Sequence, residues 1–258
     1  MSGKVYLVGG GPGDPELLTV KAVRVLQQAD VVLHDSLVSR EVLALISPTA
    51  RVIDVGKRCG HKLLTQDEIN GLLISYAQTE RTVVRLKGGD PLVFGRAGEE
   101  IEALREAEVR YELIPGITAA SGAAAAAGIS LTDRRCASNL LITTGHRGVE
   151  NLGRDWLRLA RPDTTLVVYM PGNDYRQIAE TLRCAGMEQR TPCVLVSAAS
   201  RSNQDVHFTN LADLPKMAAL PAPAVLVVGW VAGSLPDFGS IVSRLELETE
   251  PASPHMEI

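Results

Sequence analysis

The sequence is short of several things, and each shortage removes a class of function. Its 258 residues contain no run of 18 or more strongly apolar residues, so no helix read from them spans a bilayer. Aromatic residues make up only 4%, too few for the stacking platform of a single-strand binder. Positive charge is not in excess either: 26 Lys and Arg stand against 30 Asp and Glu, a net charge of -4. Nucleic-acid binders advertise a basic surface, so the balance argues against that class while leaving room for a local basic pocket. The four cysteines, Cys59, Cys136, Cys184 and Cys193, lie far apart with no Cys-x-x-Cys pair. That pattern suits a reducing cytoplasm and neither a disulfide framework nor a zinc site. His34, His61 and His146 lack metal-ligand spacing, so no metal is expected. A Walker phosphate loop, a Gly-x-Ser-x-Gly elbow and a Cys/His nucleophile pattern are all missing. Met1-Ser2-Gly3-Lys4 runs straight into a strand pattern with no signal-peptide core, which again points to the cytoplasm.

What is present is an ordinary globular mixture, 45% hydrophobic and 22% charged, with enough apolar material for a substantial core. Residues 4–8, 31–33, 51–55, 82–86 and 110–114 read as strands, rich in β-branched residues and bounded by Gly, Asp or Pro. Residues 139–144, 165–170, 193–198 and 224–229 repeat the pattern. Helices alternate with them. Asp14-Pro15-Glu16 sets a capping acid before a first-turn proline, and Thr65-Gln66-Asp67-Glu68 is a capping box. Thr118–Ala127 is an Ala-rich helix closed by Gly128, and Asn173 is the expected cap of a helix ending at Gly186. Apolar strands alternating with helices imply an α/β protein built on mainly parallel sheets. The Pro115-Gly116 turn divides it into an N-terminal α/β domain, 1–115, and a C-terminal α/β domain, 116–248. The polar residues 249–258 form a flexible tail.

Two loops carry the first chemical signal. Gly9-Gly10-Gly11-Pro12-Gly13-Asp14 follows the first strand, where glycines let backbone approach a ligand. It misses the dinucleotide fingerprint, because the third required glycine falls on Asp14 or Glu16. Gly88-Gly89-Asp90-Pro91, after the fourth strand, repeats its Gly-Asp-Pro arrangement. Each loop alone is either a ligand site or a tight strand-to-helix turn. Together they point to the crevice at the carboxyl ends of parallel strands. Around them gather Lys57, Arg58, Lys62, Arg96, Arg134, Arg135 and Arg147. On an acidic chain that group suits a polyanionic small molecule, since arginine holds carboxylates bidentately, although any one of them is equally a solvated surface residue. Asp35 and Lys57 follow neighbouring strands and either exchange protons with a substrate or pair with each other.

The residues also resemble a known family. Residues 8–19 (VGGGPGDPELLT), Asp35-Ser36-Leu37-Val38, Gly56-Lys57-Arg58, Gln66–Asn70, residues 85–96 (RLKGGDPLVFGR), Pro115–Ala120, Thr144-Gly145-His146 and Tyr169-Met170 are similar to the tetrapyrrole methylase superfamily, and within it to the uroporphyrinogen-III C-methyltransferases. The resemblance covers about residues 4–235. It implies two α/β domains with a ligand site in the cleft between them, S-adenosylmethionine as methyl donor and S-adenosylhomocysteine as its product. The implied reaction methylates uroporphyrinogen III at carbons 2 and 7 to give precorrin-2, for sirohaem, cobalamin or haem d1.

Carried over by position, the donor site falls on Pro12, Gly88, Gly89, Asp90, Val93, Thr118, Ala119, Met170 and Ala199. Asp35 becomes the proton acceptor and Lys57 the proton donor, with Arg96 the weaker candidate base because of its high pKa. Arg58, Arg96, Glu99, Arg134, Arg135 and His146 fall on the tetrapyrrole side. The chain departs from the pattern at residues 197–204, where only Gln204 of the usual segment is kept, at Pro171, and at His34. The resemblance further implies a homodimer without nucleic-acid or membrane partners, and no fused dehydrogenase/ferrochelatase module is expected ahead of the first strand. The rival readings are a sister methylase acting on a later precorrin, a non-catalytic module that binds donor or tetrapyrrole, and an RNA methylase of the same superfamily.

Overall fold

A computed structural model describes residues 3–56, 64–145 and 161–233. The described residues fall into two compact units. The first is drawn from Met1–Gly128, Val196–Val206 and Leu220–Val225, the second from Ile129–Leu195, His207–Ala219 and Leu226–Ile258. The Pro115-Gly116 turn thus lies within the first unit, together with the Ala-rich helix that follows it.

The first unit is built on β1 (Lys4–Gly9), β2 (Val31–His34), β3 (Arg51–Asp54), β4 (Thr82–Lys87) and β5 (Arg110–Ile114), in the spatial order β3-β2-β4-β1-β5. Every ladder is parallel. Alternate side chains therefore face opposite helical layers. Val5, Leu7, Val31, Leu33 and Val83 pack with Ile69, Leu73 and Ala77 of α3 (Gln66–Thr79) and Leu104 of α4 (Ala97–Glu106). Val8, Val32, Val84, Leu86 and Ile114 pack with Ala22, Val25 and Leu26 of α1 (Val20–Gln27) and Val42 of α2 (Arg40–Leu43). The layers leave the carboxyl edge of the sheet open, and α5 (Ala119–Ala127) starts from it after β5.

Local signals account for most boundaries. Thr65 and Glu68 close the capping box reciprocally, and Gly128 ends α5 at φ +66°. One expected start holds but opens a shorter element, and another moves. The Asp14 carboxylate accepts from the Glu16 N–H two residues on, at 2.8 Å, which closes an Asx turn and a short 3-10 segment, Pro15–Leu17. The α-helix begins only after Thr19, whose hydroxyl accepts from the Ala22 N–H. Asn173 is not the cap of the later helix, α6 (Arg176–Cys184). Asp174 takes the Arg176 N–H at 2.9 Å instead.

The second sheet has the order β6-β7-β10-β8-β9, from β6 (Asn139–Thr144), β7 (Thr164–Tyr169), β8 (Pro192–Ser197), β9 (Asp205–Asn210) and β10 (Ala224–Val228). β9 went unread in the sequence. It is an edge strand of polar alternation with Phe208 exposed, so it lacks the apolar run that marks its neighbours.

Candidate functional site at the carboxyl edge of the first sheet

Every loop leaving the carboxyl edge of the first sheet carries a residue that the motifs single out. Pro12 follows β1, Asp35 follows β2, Gly88, Gly89, Asp90, Val93 and Arg96 follow β4, and Thr118 and Ala119 follow β5. Lys57 and Arg58, in the sequence after β3, lie outside the described residues, as does His146. Such edges are where open parallel sheets bind ligands.

Three loops are joined by backbone. Gly11 and Gly89 form an antiparallel bridge, the Gly89 N–H donating to the Gly11 carbonyl at 2.7 Å and the Gly11 N–H to the Gly89 carbonyl at 3.1 Å. Asp90 extends the join to the β5 loop. Its Oδ2 accepts from the Gly116 N–H at 3.1 Å, while Oδ1 accepts from the Leu92 N–H at 2.7 Å. The backbones approach so closely that a Cβ on Gly116 would run into the Gly89 carbonyl oxygen and lie 2.9 Å from Gly9 Cα. Gly122 of α5 performs the same service for Pro12, whose Cβ would be 2.8 Å from a side chain there, with Ala199 Cβ 3.8 Å away. Pro12, Gly88–Asp90, the start of α5 and Ala199 thus form one patch of small side chains and closely apposed backbone.

Ala199 is held by a strained turn. Ala198 and Ser200, on either side, have φ of +45° and +63°. The Ser200 hydroxyl accepts from the Asp14 N–H at 3.1 Å, and the Gln204 side chain accepts from the Ser200 N–H at 2.7 Å. Arg201 then spans two loops, donating from Nε to the Pro12 carbonyl at 3.1 Å and from Nη2 to the Leu37 carbonyl at 2.5 Å. Burial holds its pKa below the ordinary guanidinium value, with Glu41 partly opposing. The Ser39 hydroxyl donates to the Gly13 carbonyl at 2.6 Å and pins the same loop from the other side.

Beneath the edge lies an ionic chain. Arg85 and Lys87 on β4 and Glu100 on α4 are buried, with 2%, 3% and 0% exposure. Glu100 Oε1 accepts from Arg85 Nε at 2.8 Å, Lys87 Nζ at 2.9 Å and Gln66 Nε2 at 3.3 Å. Arg85 Nη2 pairs with Asp35 Oδ1, which extends the chain to the Asp35 loop. Burial works against the Arg85 charge, but Asp35 and Glu100 together hold its pKa above the ordinary value. Lys87 moves the other way, lowered first by burial and then by Arg85. Arg96 and Glu99, both exposed, pair bidentately through Nε–Oε1 at 2.8 Å and Nη2–Oε2 at 2.6 Å, which lowers the Glu99 pKa.

The remaining motif residues belong to the second unit. Met170 follows β7 at φ +50° and is 45% exposed, and the Gly145 N–H donates to the Tyr169 carbonyl beside it at 2.8 Å. Arg134 and Arg135 precede β6 on an exposed stretch, where Arg135 pairs with Asp133. They are not at a strand end. Among the described residues no three His, Cys, Asp or Glu side chains converge as a metal site requires. Nor is any helix among them long and apolar enough to cross a membrane.

Comparison with known proteins gives the arrangement a family. A model of the Tetrapyrrole (Corrin/Porphyrin) Methylases matches residues 4–215. The chain belongs to this family. It is 47% identical over 239 residues to the uroporphyrinogen-III C-methyltransferase of Paracoccus denitrificans, covering 91% of this chain and 83% of that one. Against the chloroplastic S-adenosyl-L-methionine-dependent uroporphyrinogen III methyltransferase of Arabidopsis thaliana it is 48% identical over 236 residues, covering 89% and 63%. The crystal structure of uroporphyrin-III C-methyltransferase from Thermus thermophilus complexed with S-adenyl homocysteine superposes with a TM-score of 0.75 at 40% identity, over 89% of this chain and 98% of that one. This tetrapyrrole methylase spans about half the length of several curated relatives named siroheme synthase.

Proposed function

We propose that this chain is an S-adenosylmethionine-dependent C-methyltransferase that converts uroporphyrinogen III to precorrin-2. The observation that carries the proposal is the small-residue patch at Pro12, Gly88–Asp90, Thr118, Ala119 and Ala199. There the β1, β4 and β5 loops meet backbone to backbone, with no room for a Cβ at Gly9 or Gly116, and present a surface of small side chains and main chain. A flat, neutral adenosyl group fits such a surface better than a pyrophosphate does, since Pro12 and Asp14 offer it no positive charge. Relatives 47–48% identical carry the name of this reaction, and a structural neighbour is complexed with the product of the donor.

When bound, the donor supplies an electrophilic methyl group, and its transfer to a pyrrole carbon leaves the bonding pair on sulfur as S-adenosylhomocysteine. The chain's own part is alignment and proton handling, worth several kcal/mol where reacting groups are held in place. Asp35, at the carboxyl edge and fixed by Arg85, accepts the proton that the ring loses after each of two methylations, at carbons 2 and 7. Lys57 is assigned as proton donor. Arg58, Arg96, Arg134, Arg135 and His146 are assigned to the substrate's eight carboxylates, Glu99 to the tetrapyrrole side through its pairing with Arg96, and Val93 and Met170 to the donor. The reading includes a cytoplasmic homodimer, to be checked by equilibrium sedimentation.

An anaerobic assay with uroporphyrinogen III and methyl-labelled donor, read by mass spectrometry, tests the proposal. Gain of two methyl groups is expected. Donor binding without transfer to this substrate would refute it and favour a methylase of a later ring intermediate or a binding module.

A further inference from the structure

We propose that Glu100 is a positioning residue for methyl transfer: held wholly inside the first unit, it fixes Arg85, and Arg85 fixes the Asp35 carboxylate. The inference rests on the reading of Asp35 as proton acceptor. It starts from an anomaly in the sheet. A central parallel strand covered on both faces is ordinarily apolar, and Val83 of β4 obeys that rule. Two and four residues later on the same face stand Arg85 and Lys87, with Arg85 in register with Leu7 on one flank and Leu33 on the other. Two cations have been buried where apolar side chains would pack.

Stability alone gives no reason for this, because a buried ionic cluster is commonly no more stable than apolar residues of the same volume. The geometry supplies another reason. Every nitrogen of the Arg85 guanidinium is committed: Nε to Glu100, Nη1 to the carbonyls of Leu33 at 3.4 Å and Leu86 at 3.3 Å, and Nη2 to Asp35. The guanidinium is planar, so setting Nε sets the direction in which Nη2 points. Glu100 Oε1 carries all three of its donors while Oε2 has no partner among the described residues, so the carboxylate is aimed at the two cations. Asp35 is the one member of the chain with an open side, at 27% side-chain exposure against 3% or less for the others. The cluster is thus anchored in the core and ends at the carboxyl edge.

Charge makes the same point. The two cations are balanced by Glu100 and Asp35, with His34, the last residue of β2, just before Asp35 and Asp54 across from His34 on β3. Without Glu100, Asp35 would be the one counter-charge left to two buried cations, and Arg85 Nε would lose the acceptor that sets the plane of the guanidinium and so the orientation of Asp35.

The test uses the full chain, uroporphyrinogen III and labelled donor under anaerobic conditions, with donor affinity by calorimetry and folding by thermal melt. The variants are Asp35→Asn, Glu100→Gln and the apolar triple Arg85→Met, Lys87→Met, Glu100→Leu. The triple is expected to fold and to bind donor as the parent does, yet to lose turnover by about a hundredfold or more, the range of a missing general base. Turnover at the parent level in the folded triple overturns the proposal and leaves the reading of Asp35 standing. Should the triple fail to fold, Glu100→Gln decides: an equal loss of turnover at unchanged donor affinity supports the proposal, and unchanged turnover overturns it. Parent-level turnover in Asp35→Asn overturns the reading of Asp35, and the proposal with it.

Discussion

Gly116→Ala is the substitution that most directly probes the joined loops. The added methyl would meet the Gly89 carbonyl oxygen and lie 2.9 Å from Gly9 Cα and 3.0 Å from Gly9 C. All of these atoms are backbone, so no side chain can swing aside, and relief requires the β1, β4 and β5 loops to part. Overpacking of this kind costs about 1–3 kcal/mol. A cost of that size, taken up by the loops, raises the donor Kd by about 5- to 150-fold, at a factor of ten for each 1.4 kcal/mol. It lowers Tm by about 2–4 °C per kcal/mol in a chain of this length. Gly71→Ala is the control. Gly71 lies inside α3 with nothing within 4 Å of its added Cβ, so the change should stabilise the helix by up to about 1 kcal/mol and leave donor binding alone. Calorimetric titration with S-adenosylmethionine and a thermal melt of both variants check the pair. Parent-like donor affinity and Tm in Gly116→Ala would refute the claim that the donor depends on these loops being joined by close backbone approach.

Three further outcomes are expected. Arg201→Met keeps the bulk but removes both bonds from the guanidinium to the Pro12 and Leu37 carbonyls, and should weaken donor binding by roughly tenfold, as losing about 1.4 kcal/mol does. Unaltered affinity by calorimetry would show that the clamp is idle. Arg96→Ala should chiefly raise KM for the tetrapyrrole, and steady-state kinetics with KM and kcat both unchanged would place Arg96 outside the pocket. Glu112, paired with Lys21 and Lys4, has its pKa drawn down from 4.5 to about 2. Because the folded value is depressed, the stability this group contributes is complete above its ordinary pKa and drains as pH falls through the folded one. Denaturant melts between pH 5 and about 2 should therefore show a shallower acid loss in Glu112→Gln, and identical slopes would contradict the pairing.

The strands were legible because each apolar run is short, β-branched and flanked by a breaker, so periodicity and punctuation agree. The cap at Asp14 stands, but it opens only a 3-10 segment, and the start at Asn173 misled for a local reason: a short polar side chain satisfies a nearby N–H in a turn as readily as at a cap, and pattern alone does not distinguish the two. The edge strand β9 was missed because an exposed strand carries little apolar signal. For the candidate site, the loops were legible from glycine spacing, but the parts that hold them were not. Arg201 and Ser39 act through main-chain carbonyls, contacts that leave no trace in residue type.

The ionic chain is a different case, since its signal was present and went unused. In the run Val83-Val84-Arg85-Leu86-Lys87, cations alternate with apolar residues in the strand that lies at the centre of the sheet. Period two places both cations on one face, and a central parallel strand has no solvent face to offer them. A buried partner was therefore required of some helix on that side, and α4 supplies Glu100. Backbone strain tells a similar story from the other direction. Of the non-glycine residues with positive φ among those described, Phe94, Arg96, Met170, Ala198 and Ser200 all belong to or adjoin motif positions, leaving only Glu108 at a plain helix end. Left-handed backbone at residues with a Cβ costs about 1–3 kcal/mol each and persists where the surroundings enforce it.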